Sequence, residues 1–468
     1  MSSSATSARA ILSAALPGQV TTPNDPRYKA EQEVPWSPTC WHPAACFVHP
    51  RTPAEVSLVL KTVRETRSKF AVRGAGHNCN RNVAGVDAGV VIDTRELNAV
   101  SFDKASGVAK VGAGCRWSQV YAVLEEHGVT VTGGRQRDVG VGGYLLGGGL
   151  AAFSNLYGLA VDRVVNFEVV LADSTIVNAN QEDNPDLFRA LKGGGTNFGI
   201  VTRFDIKTYE LRAQYTLNLY DPSDYENLFR AAIEAQEAME TDPKHGMFLA
   251  FYREMAFAGL LYADWVSETP KGYRSFFDTN SLKTSLAPTT NGTQKSLVDT
   301  IGPASQLRRQ CYTASTKVSY DLYLAAHRLW LDKLNKYPEA GNLFYAFQPI
   351  SSSVSKIGKA RGGNAIGIEE VAQTWWAFCA EWSDEANDAV GAQAVNELGS
   401  EFEALAREQG QLLDFLFMND ASAAQNVLGG YGAENAKRLR ETAKKYDPEE
   451  VFQKLQNDGF LIRKLLLE

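Results

Sequence analysis

The chain has 468 residues, which is too long for one simple core and predicts two or more packed units. Its net charge of −7 argues against a nucleic-acid surface, because phosphate binding requires a basic patch. No run approaches the roughly 18 to 20 apolar residues of a membrane span, and the opening MSSSATSARAILSAALPGQV lacks the continuous apolar region of a secretory signal. We therefore expect a cytoplasmic protein that binds neither nucleic acid nor membrane.

The cysteine pattern favours free thiols. Six cysteines are spread along the chain, at positions 40, 46, 79, 115, 311 and 379. Cys40 and Cys46 are close enough in sequence to pair in an oxidising compartment, but no CxxC motif or Cys/His cluster has zinc spacing. The sequence therefore predicts mostly buried, unpaired thiols and no metal site.

A glycine-rich region, residues 40–212, follows a predicted N-terminal extension, 1–39. In TPAEVSLVLKTVRET, Thr52 is the expected N-cap of a helix and Glu55 completes a capping box. Short strands are predicted up to Val72 and at 89–94, 99–103 and 108–114, with a helix after them that ends at Gly128. The region therefore alternates short strands with helices.

The same region continues with a hairpin that turns at Asp173–Ser174 and with a helix capped by Asn184. The next region, 213–403, has less glycine and more aromatic residues, and its long strands alternate with long helices. This pattern is typical of an α+β domain with one face of its sheet covered. The last region, 404–468, is predicted to contain a helix, a strand at 412–419 and further helices.

Glycine is densest in GGRQRDVGVGGYLLGGG, residues 133–149. Such density disfavours regular structure by about 0.5–1 kcal/mol per position, and a backbone that closely approaches an anionic ligand explains it. A flexible linker is the alternative, but the interleaved apolar residues disfavour one. The segment lacks the GxxxxGK[ST] pattern, and a GxGxxG match from Gly140 fails at Leu145. The pattern favours a dinucleotide such as FAD, held by segments 73–78, 140–149 and 197–201.

Several ordered motifs resemble the berberine-bridge-enzyme-like branch of the vanillyl-alcohol-oxidase flavoproteins, which carry a PCMH-type FAD-binding domain. They are VRGAGHN, VVIDTRELN, VGAGCRWSQVY, DVGVGGYLLGGG and NPDLFRALKGGGTNFGIVTRF. The middle and C-terminal segments, GGNAIGIEE and FMNDASAAQNVLGGYGAENAKRLRETAKKYDPEEVFQ, are most similar to fungal FAD-linked oxidoreductases. The resemblance implies an α+β fold: an FAD domain built from residues 40–212 and 404–468, with an antiparallel α+β substrate domain, 213–403, inserted between them.

The resemblance also implies a set of cofactor-binding residues. His77 takes the position of the histidine that bonds covalently to the flavin in that family. The cysteine of a second covalent link is replaced by Gln136, and the histidine that steadies negative charge on reduced flavin is replaced by Tyr144. The full expected set is Arg73, Gly74, Ala75, Gly76, His77, Asn78, Asn82, Val139, Gly140, Gly142, Gly143, Tyr144, Gly147, Gly148, Asn155, Ile200, Val201 and Asn419.

The catalytic base is not inherited from the family, because its C-terminal Y-x-N-Y reads Phe417-Met418-Asn419-Asp420 here. Asp420 takes the position of the base, with turn capping as the alternative role for its carboxylate. Tyr312 is a second candidate, in the segment that the family brings toward the flavin. Glu381, Tyr431 and the arginines at 308 and 309 are weaker candidates, with solvent exposure or packing as their ordinary roles.

The expected function is FAD-dependent oxidation of a small hydrophobic or phenolic metabolite by hydride transfer, with O2 as the acceptor and a monomeric or homodimeric enzyme. Aromatic residues in the middle region favour an apolar pocket, although at most about half of them can face one side of a sheet. Two alternatives stay open: a sugar or alcohol oxidase, and a non-redox cyclase, pericyclic catalyst or binding protein on the same scaffold.

Overall fold

The computed structural model describes residues 3–466 and confirms the predicted α+β class. The chain first forms two small sheets, of four and five strands, a separate two-stranded pair, and the helices that pack on them. The helices are α1 Ser3–Ala15, α2 Tyr28–Gln32, α3 Pro53–Thr66, α4 Trp117–Glu125, α5 Val141–Leu146, α6 Ser154–Tyr157 and α7 Pro185–Leu191. The strands are β1 Val20–Thr21, β2 Cys46–Val48, β3 Phe70–Arg73, β4 Val90–Asp93, β5 Val100–Asp103, β6 Val108–Gly112, β7 Val129–Thr130, β8 Val164–Val170, β9 Ile176–Ala179, β10 Ile200–Lys207 and β11 Tyr209–Glu210.

Helix α3 lies between these two sheets. The first sheet has the order β1-β2-β4-β3 with β2, β4 and β3 parallel, and the second is antiparallel with the order β5-β6-β10-β8-β9. The Thr52 hydroxyl caps α3 by accepting from the Glu55 backbone N–H, as predicted. Val56, Val59, Leu60 and Val63 of α3 are fully buried, which joins both sheets in one core.

The segment before residue 40 is part of this core. Ala8 and Leu12 of α1 are fully buried in the same cluster as α3, and β1 pairs with β2. Trp36 lies further along and its backbone N–H donates to the Gly76 carbonyl at 3.0 Å. The N-terminal segment therefore contributes directly to the loop that follows β3.

The middle of the chain forms most of an eight-stranded antiparallel sheet, in the order β15-β12-β14-β13-β17-β18-β16-β19, in which the edge strand β19 is Leu412–Leu413 of the C-terminal segment. Helices α8, α11 and α13 lie on one face of this sheet. Its strands are β12 Ala213–Tyr220, β13 His245–Phe251, β14 Ala256–Tyr262, β15 Leu282–Gly292, β16 Arg308–Lys317, β17 Asn342–Ile350 and β18 Gln373–Trp382. Its helices are α8 Tyr225–Thr241, α9 Arg274–Asp278, α10 Gln294–Ile301, α11 Tyr320–Lys336, α12 Ser353–Ala360 and α13 Asp388–Glu408. The other face of the sheet turns toward the first two sheets.

Alternation along β17 and β18 divides the aromatic residues between these two faces. Four of them pack under the helices: Tyr345, Phe347, Trp376 and Phe378. Trp375 instead packs on Phe415 and Phe417, at ring-centroid distances of 4.7 and 4.9 Å. Phe344 stacks on Tyr252 at 4.7 Å, beside the strand position of Cys379. Only a minority of the predicted aromatic residues therefore faces the junction between this large sheet and the two smaller sheets, which we call the junction between the units.

The C-terminal segment returns to the first unit. It contains β19 Leu412–Leu413, α14 Ala433–Tyr446 and α15 Val451–Lys454. The Phe70 N–H donates to the Leu455 carbonyl, and the Asn457 N–H donates to the Phe70 carbonyl. The strand predicted at 412–419 is wrong beyond Leu413, because the chain leaves the sheet edge there and turns so that the Asp420 N–H donates to the Phe417 carbonyl. This turn carries Asn419 and Asp420 into the junction between the units.

No helix within residues 3–466 is long and apolar enough to cross a membrane.

Candidate functional site

Two loops that are far apart in sequence form one wall of the site. Residues 74–78 follow β3, and the glycine stretch precedes and forms α5. A Cβ on Gly140 would lie 2.8 Å from the Ala75 Cβ and 3.0 Å from its backbone nitrogen, so glycine permits this approach. Gly76 has φ 75°, which favours glycine, and this turn directs His77 toward Trp36. The wall therefore depends on the predicted glycines.

His77 is half-buried as a residue, but its Nε2 atom is fully buried and its imidazole is neutral. Its ring stacks on Trp36 with a centroid distance of 3.8 Å, and the Arg309 guanidinium lies 4.0 Å above the same indole. Burial, together with the positive charge of Arg309, lowers the pKa of His77 to about 3. Its Nε2 has no hydrogen-bond partner within residues 3–466. The neutral ring therefore has one nitrogen without a proton, and its Nε2 is not engaged by any described residue.

Asn419 joins the C-terminal turn to the glycine stretch. Its Oδ1 accepts from the Gly149 N–H at 3.2 Å, and its Nδ2 donates to the Gly143 carbonyl at 3.2 Å. A Cβ on Gly147 would come within 2.6 Å of this side-chain amide, so only glycine leaves room for it. Asn419 therefore fixes the shape of the glycine wall.

Replacing Asn419 with Ala is expected to lower the free energy of unfolding by about 1–3 kcal/mol, because two backbone groups lose their partner. The fraction of protein carrying the predicted FAD should fall as well, since the wall loosens. Chemical unfolding and the flavin-to-protein absorbance ratio measure both effects. Asn335→Ala, on the exposed surface of α11, is the matched control; equal values for both variants would contradict the role of Asn419.

Tyr144 and Trp117 extend the wall. Tyr144 lies edge-on to Trp117 at a centroid distance of 5.2 Å, and burial raises the pKa of its phenol. The Tyr144 hydroxyl, the Trp117 indole N–H and the Trp36 indole N–H are buried without hydrogen-bond partners among the described residues, like His77 Nε2. Such polar atoms, together with a glycine cradle, fit a large flat cofactor with many hydrogen-bonding groups.

Asp420 lies between this wall and β17 of the large sheet, near Tyr144 and Arg135; we call this space the cleft. Its Oδ2 accepts from Gln348 Nε2 at 3.2 Å, and Gln348 Oε1 accepts from the Arg135 guanidinium. Burial raises the pKa of Asp420 to about 6, although Arg135 and the Gln348 hydrogen bond favour the ionised form. Asp420 also lies within electrostatic range of Tyr144. The carboxyl is thus held at one place and is poised to exchange a proton near neutral pH.

Three thiols meet beside Asp420. Cys311 and Cys379 are directly opposite on β16 and β18, and their sulfur atoms are 2.9 Å apart. Cys79, two residues after His77, is a further neighbour of Cys311. The hydrogen bond to Cys311, followed by burial, raises the pKa of Cys79. The hydrogen bond to Cys379 is the main cause that raises the pKa of Cys311, with burial adding to it, so both thiols are protonated. All six cysteines are free, as predicted, but the sequence analysis did not place any three together.

Several expected cofactor residues are engaged elsewhere. Arg73 ion-pairs with Asp93 at 2.6 Å and with Glu31 at 3.1 Å, and is 2% exposed, so its guanidinium is committed to the core. Glu31, Asp93 and His49 bring three potential metal ligands within 4.8 Å of one another, but Arg73 and Arg95 already neutralise both carboxylates. The Arg73 side chain is therefore not available to a cofactor, and only its backbone belongs to the loop that follows β3.

Of the remaining expected cofactor residues, two are engaged away from the wall and the others lie on it or directly behind it. Asn82 is exposed, and its carbonyl accepts from Asn457. Asn155 is buried where it links the units, donating to the His245 carbonyl. The others lie along the wall or at the start of β10 behind it: Gly74, Asn78, Val139, Gly142, Gly148, Ile200 and Val201.

The other catalytic candidates either lie away from Asp420 or are engaged by protein partners. Tyr312 directly follows Cys311 on β16, so its side chain lies on the opposite face of the sheet, which the helices cover. There it packs against Gly399 of α13. Arg308 forms two hydrogen bonds with Asp388. Arg309 pairs with Glu381 at 2.8 Å, so neither is free. The Tyr431 hydroxyl donates to the Gly193 carbonyl, as expected for a packed residue.

Sequence reasoning missed Trp36, Arg135 and Gln348. Trp36 lies in the segment treated as an extension, and Gln348 in a strand described only as aromatic. Arg135 had a usable signal, since it is a charged residue inside the glycine stretch that was predicted to approach an anionic ligand.

A family model described as an FAD binding domain matches residues 44–180. An FAD-dependent monooxygenase of Arthrobotrys oligospora is 36% identical over 440 residues, which cover 93% of this chain and 85% of that protein. The bifunctional solanapyrone synthase of Alternaria solani is 31% identical over 457 residues, covering 96% of this chain and 88% of that protein.

Solved structures share the fold. BBE-like 1 of Physcomitrella patens has a TM-score of 0.81 at 20% identity, and the match covers 97% of this chain and 99% of that one. The 6-hydroxy-D-nicotine oxidase of Arthrobacter nicotinovorans has a TM-score of 0.80 at 20% identity, covering 95% and 98% respectively.

Proposed function

Because the chain belongs to the berberine-bridge-enzyme-like family of FAD-linked oxidoreductases, we propose that it oxidises a small hydrophobic or phenolic metabolite in the cleft around Asp420. O2 is the final electron acceptor in this proposal. FAD, when bound, supplies the group that accepts a hydride from the substrate. The observation that carries the proposal is the placement of Asp420, a proton acceptor with a raised pKa, opposite the cofactor wall.

His77 is the proposed covalent anchor of the cofactor. A nucleophilic attachment requires an unprotonated ring nitrogen, and burial keeps the pKa of His77 far below neutral pH. The stack on Trp36 fixes the plane of the imidazole, so that Nε2 is held at one place in the wall. Arg309 on the far side of Trp36 adds a positive charge that opposes protonation of His77.

Asp420 is the proposed general base. A base is most effective when its pKa lies near the working pH, and the value of about 6 meets this condition. Gln348 donates to one carboxyl oxygen, which leaves the other oxygen to receive a proton from the substrate. The carboxylate therefore has a fixed direction as well as a suitable affinity for a proton.

Arg135 is proposed to orient the substrate through an acidic oxygen, such as that of a phenol. Its guanidinium lies 5.3 Å from the centre of the Phe248 ring. Within residues 3–466 it forms one hydrogen bond, to Gln348, which leaves further N–H groups for a ligand. Burial strengthens its attraction for an oxyanion, because water screens the charge less there. The stacked rings of Tyr252 and Phe344 supply apolar surface on the same face of the sheet.

Anaerobic mixing with a substrate panel tests this function. Hydrophobic phenols are expected to bleach the flavin absorbance near 450 nm, which returns when O2 is admitted. The panel includes oligosaccharides and simple alcohols, and bleaching by these alone would contradict the proposed substrate class. Product formed without bleaching or O2 consumption would contradict the redox function and point to the non-redox alternative.

A further inference from the structure

A second cavity of about 410 Å³ lies away from the catalytic cleft. It is formed where β8 and α7 of the first unit meet the loop that follows α12. Four cationic and two acidic side chains line it, and none of the residues that form the cleft is among them. Its size falls within the range of small-molecule sites, about 300–1,000 Å³. The excess of positive charge indicates the kind of ligand.

Lys192 forms the floor of this cavity. The residue directly follows α7 and is only 1% exposed. Its ammonium lies 4.2 Å from the centre of the Phe188 ring, and within residues 3–466 its Nζ forms no hydrogen bond or ion pair. The pKa of Lys192 is lowered to about 8, chiefly by burial; the negative charge of Asp162 opposes this shift, and the positive charge of Arg361 contributes to it. The Nζ therefore has donors that an acceptor entering the cavity can engage.

Two arginines bring further positive charge to the same place. Arg361 donates to the Tyr157 carbonyl at 2.6 Å, which holds its guanidinium at the cavity wall. Arg163 donates to the Lys207 and Thr208 carbonyls, and burial, followed by the charge of Arg361, lowers its pKa. Because like charges this close repel, the three cations together favour an anion between them.

Asp162, the buried carboxylate in the cavity, is already committed. It accepts from the Leu159 N–H and from Asn364 Nδ2, each at 2.9 Å. It attracts Lys192 electrostatically but makes no ion pair with it within 4.0 Å. The other acidic residue, Glu182, is exposed at the rim. Asp162 therefore offsets part of the positive charge of Lys192 and Arg361, but within residues 3–466 it forms no ion pair with either, and a net positive charge is left at the floor.

We propose that this cavity binds a small organic or inorganic anion with two or more oxyanion oxygens, a polycarboxylate or a phosphate, between Lys192 and Arg361. The Lys192 ammonium can donate charged hydrogen bonds to one oxygen of the anion, and the planar Arg361 guanidinium can donate two parallel hydrogen bonds to a pair of oxygens. Because Lys192 belongs to the first unit and Arg361 to the inserted one, a bound anion connects the two units.

Isothermal titration calorimetry of the holoenzyme at constant ionic strength tests the proposal by measuring the binding of citrate and of inorganic phosphate as separate probes. We expect saturable binding of at least one probe to a single site. Lys192→Met should weaken it about tenfold or more, because a charged hydrogen bond is lost. Arg361→Met removes a cation from a more exposed position and should also weaken binding, which covers the case in which Lys192→Met fails to fold.

Lys244→Met is the matched control, since Lys244 pairs with Asp264 outside the cavity and its loss changes net charge equally. Binding of citrate alone assigns a polycarboxylate, and binding of phosphate alone assigns a phosphate. Absence of binding by both probes would overturn the proposal. Equal affinities in wild type, Lys192→Met and Arg361→Met would overturn it as well.

Discussion

Replacing Asp420 with Asn is expected to lower kcat/KM by about 10²–10⁴-fold, the usual contribution of a positioned general base. The amide keeps the shape of the side chain but cannot accept the substrate proton. Flavin content should stay unchanged, because Asp420 contacts Gln348 rather than the glycine wall. Steady-state O2 consumption with a substrate from the anaerobic screen measures the loss.

The pH profile separates a base from a merely structural carboxylate. Asp420 acts when ionised, so kcat/KM of the wild type should rise with pH through about 6 and then level off. Asp420→Asn should lack this rise. Asp414→Asn, on an exposed part of the same segment, is the control and should keep it. An unchanged rise in Asp420→Asn would exclude Asp420 as the group that titrates.

Replacing His77 with Ala is expected to abolish covalent flavin attachment. After acid precipitation the wild-type pellet should be yellow, whereas the variant should release its colour into the supernatant. The native variant should still bind FAD without a covalent bond, because the glycine wall and Asn419 are unchanged. Absorbance of pellet and supernatant near 450 nm measures the distribution.

His127→Ala is the control for this variant, since His127 is exposed beside Phe102. Its pellet should stay yellow. A yellow pellet from His77→Ala would mean that another residue forms the bond. We also expect slower flavin reduction in His77→Ala, because an electron-withdrawing attachment raises the reduction potential of the flavin.

Local patterns predicted those parts of the fold that depend on near neighbours in sequence. The cap at Thr52 and the turn at Asp173–Ser174 follow from side-chain hydrogen bonding and backbone preferences within a few residues. The mostly apolar segment 412–419 also reads as a strand locally. Its real course depends on packing of Phe415 and Phe417 against Trp375, a contact that no local pattern contains.

The candidate site depends on such distant contacts more than the fold does. Alternation predicted that Glu381 and Trp376 lie on opposite faces of β18, and the structure bears this out. It could not predict which face meets the cofactor wall, and an error of one residue moves a side chain to the other face. That is why Tyr312 lies under α13 while Cys311 reaches Cys79.

The central claim, that FAD lies in the cleft joined to His77, is tested most directly by mass spectrometry of the denatured wild-type protein. The account predicts an intact mass larger by one FAD, and after proteolysis a flavin adduct on the peptide that contains His77, at the imidazole. An intact mass without FAD, or an adduct at a different residue such as Cys79, would contradict it.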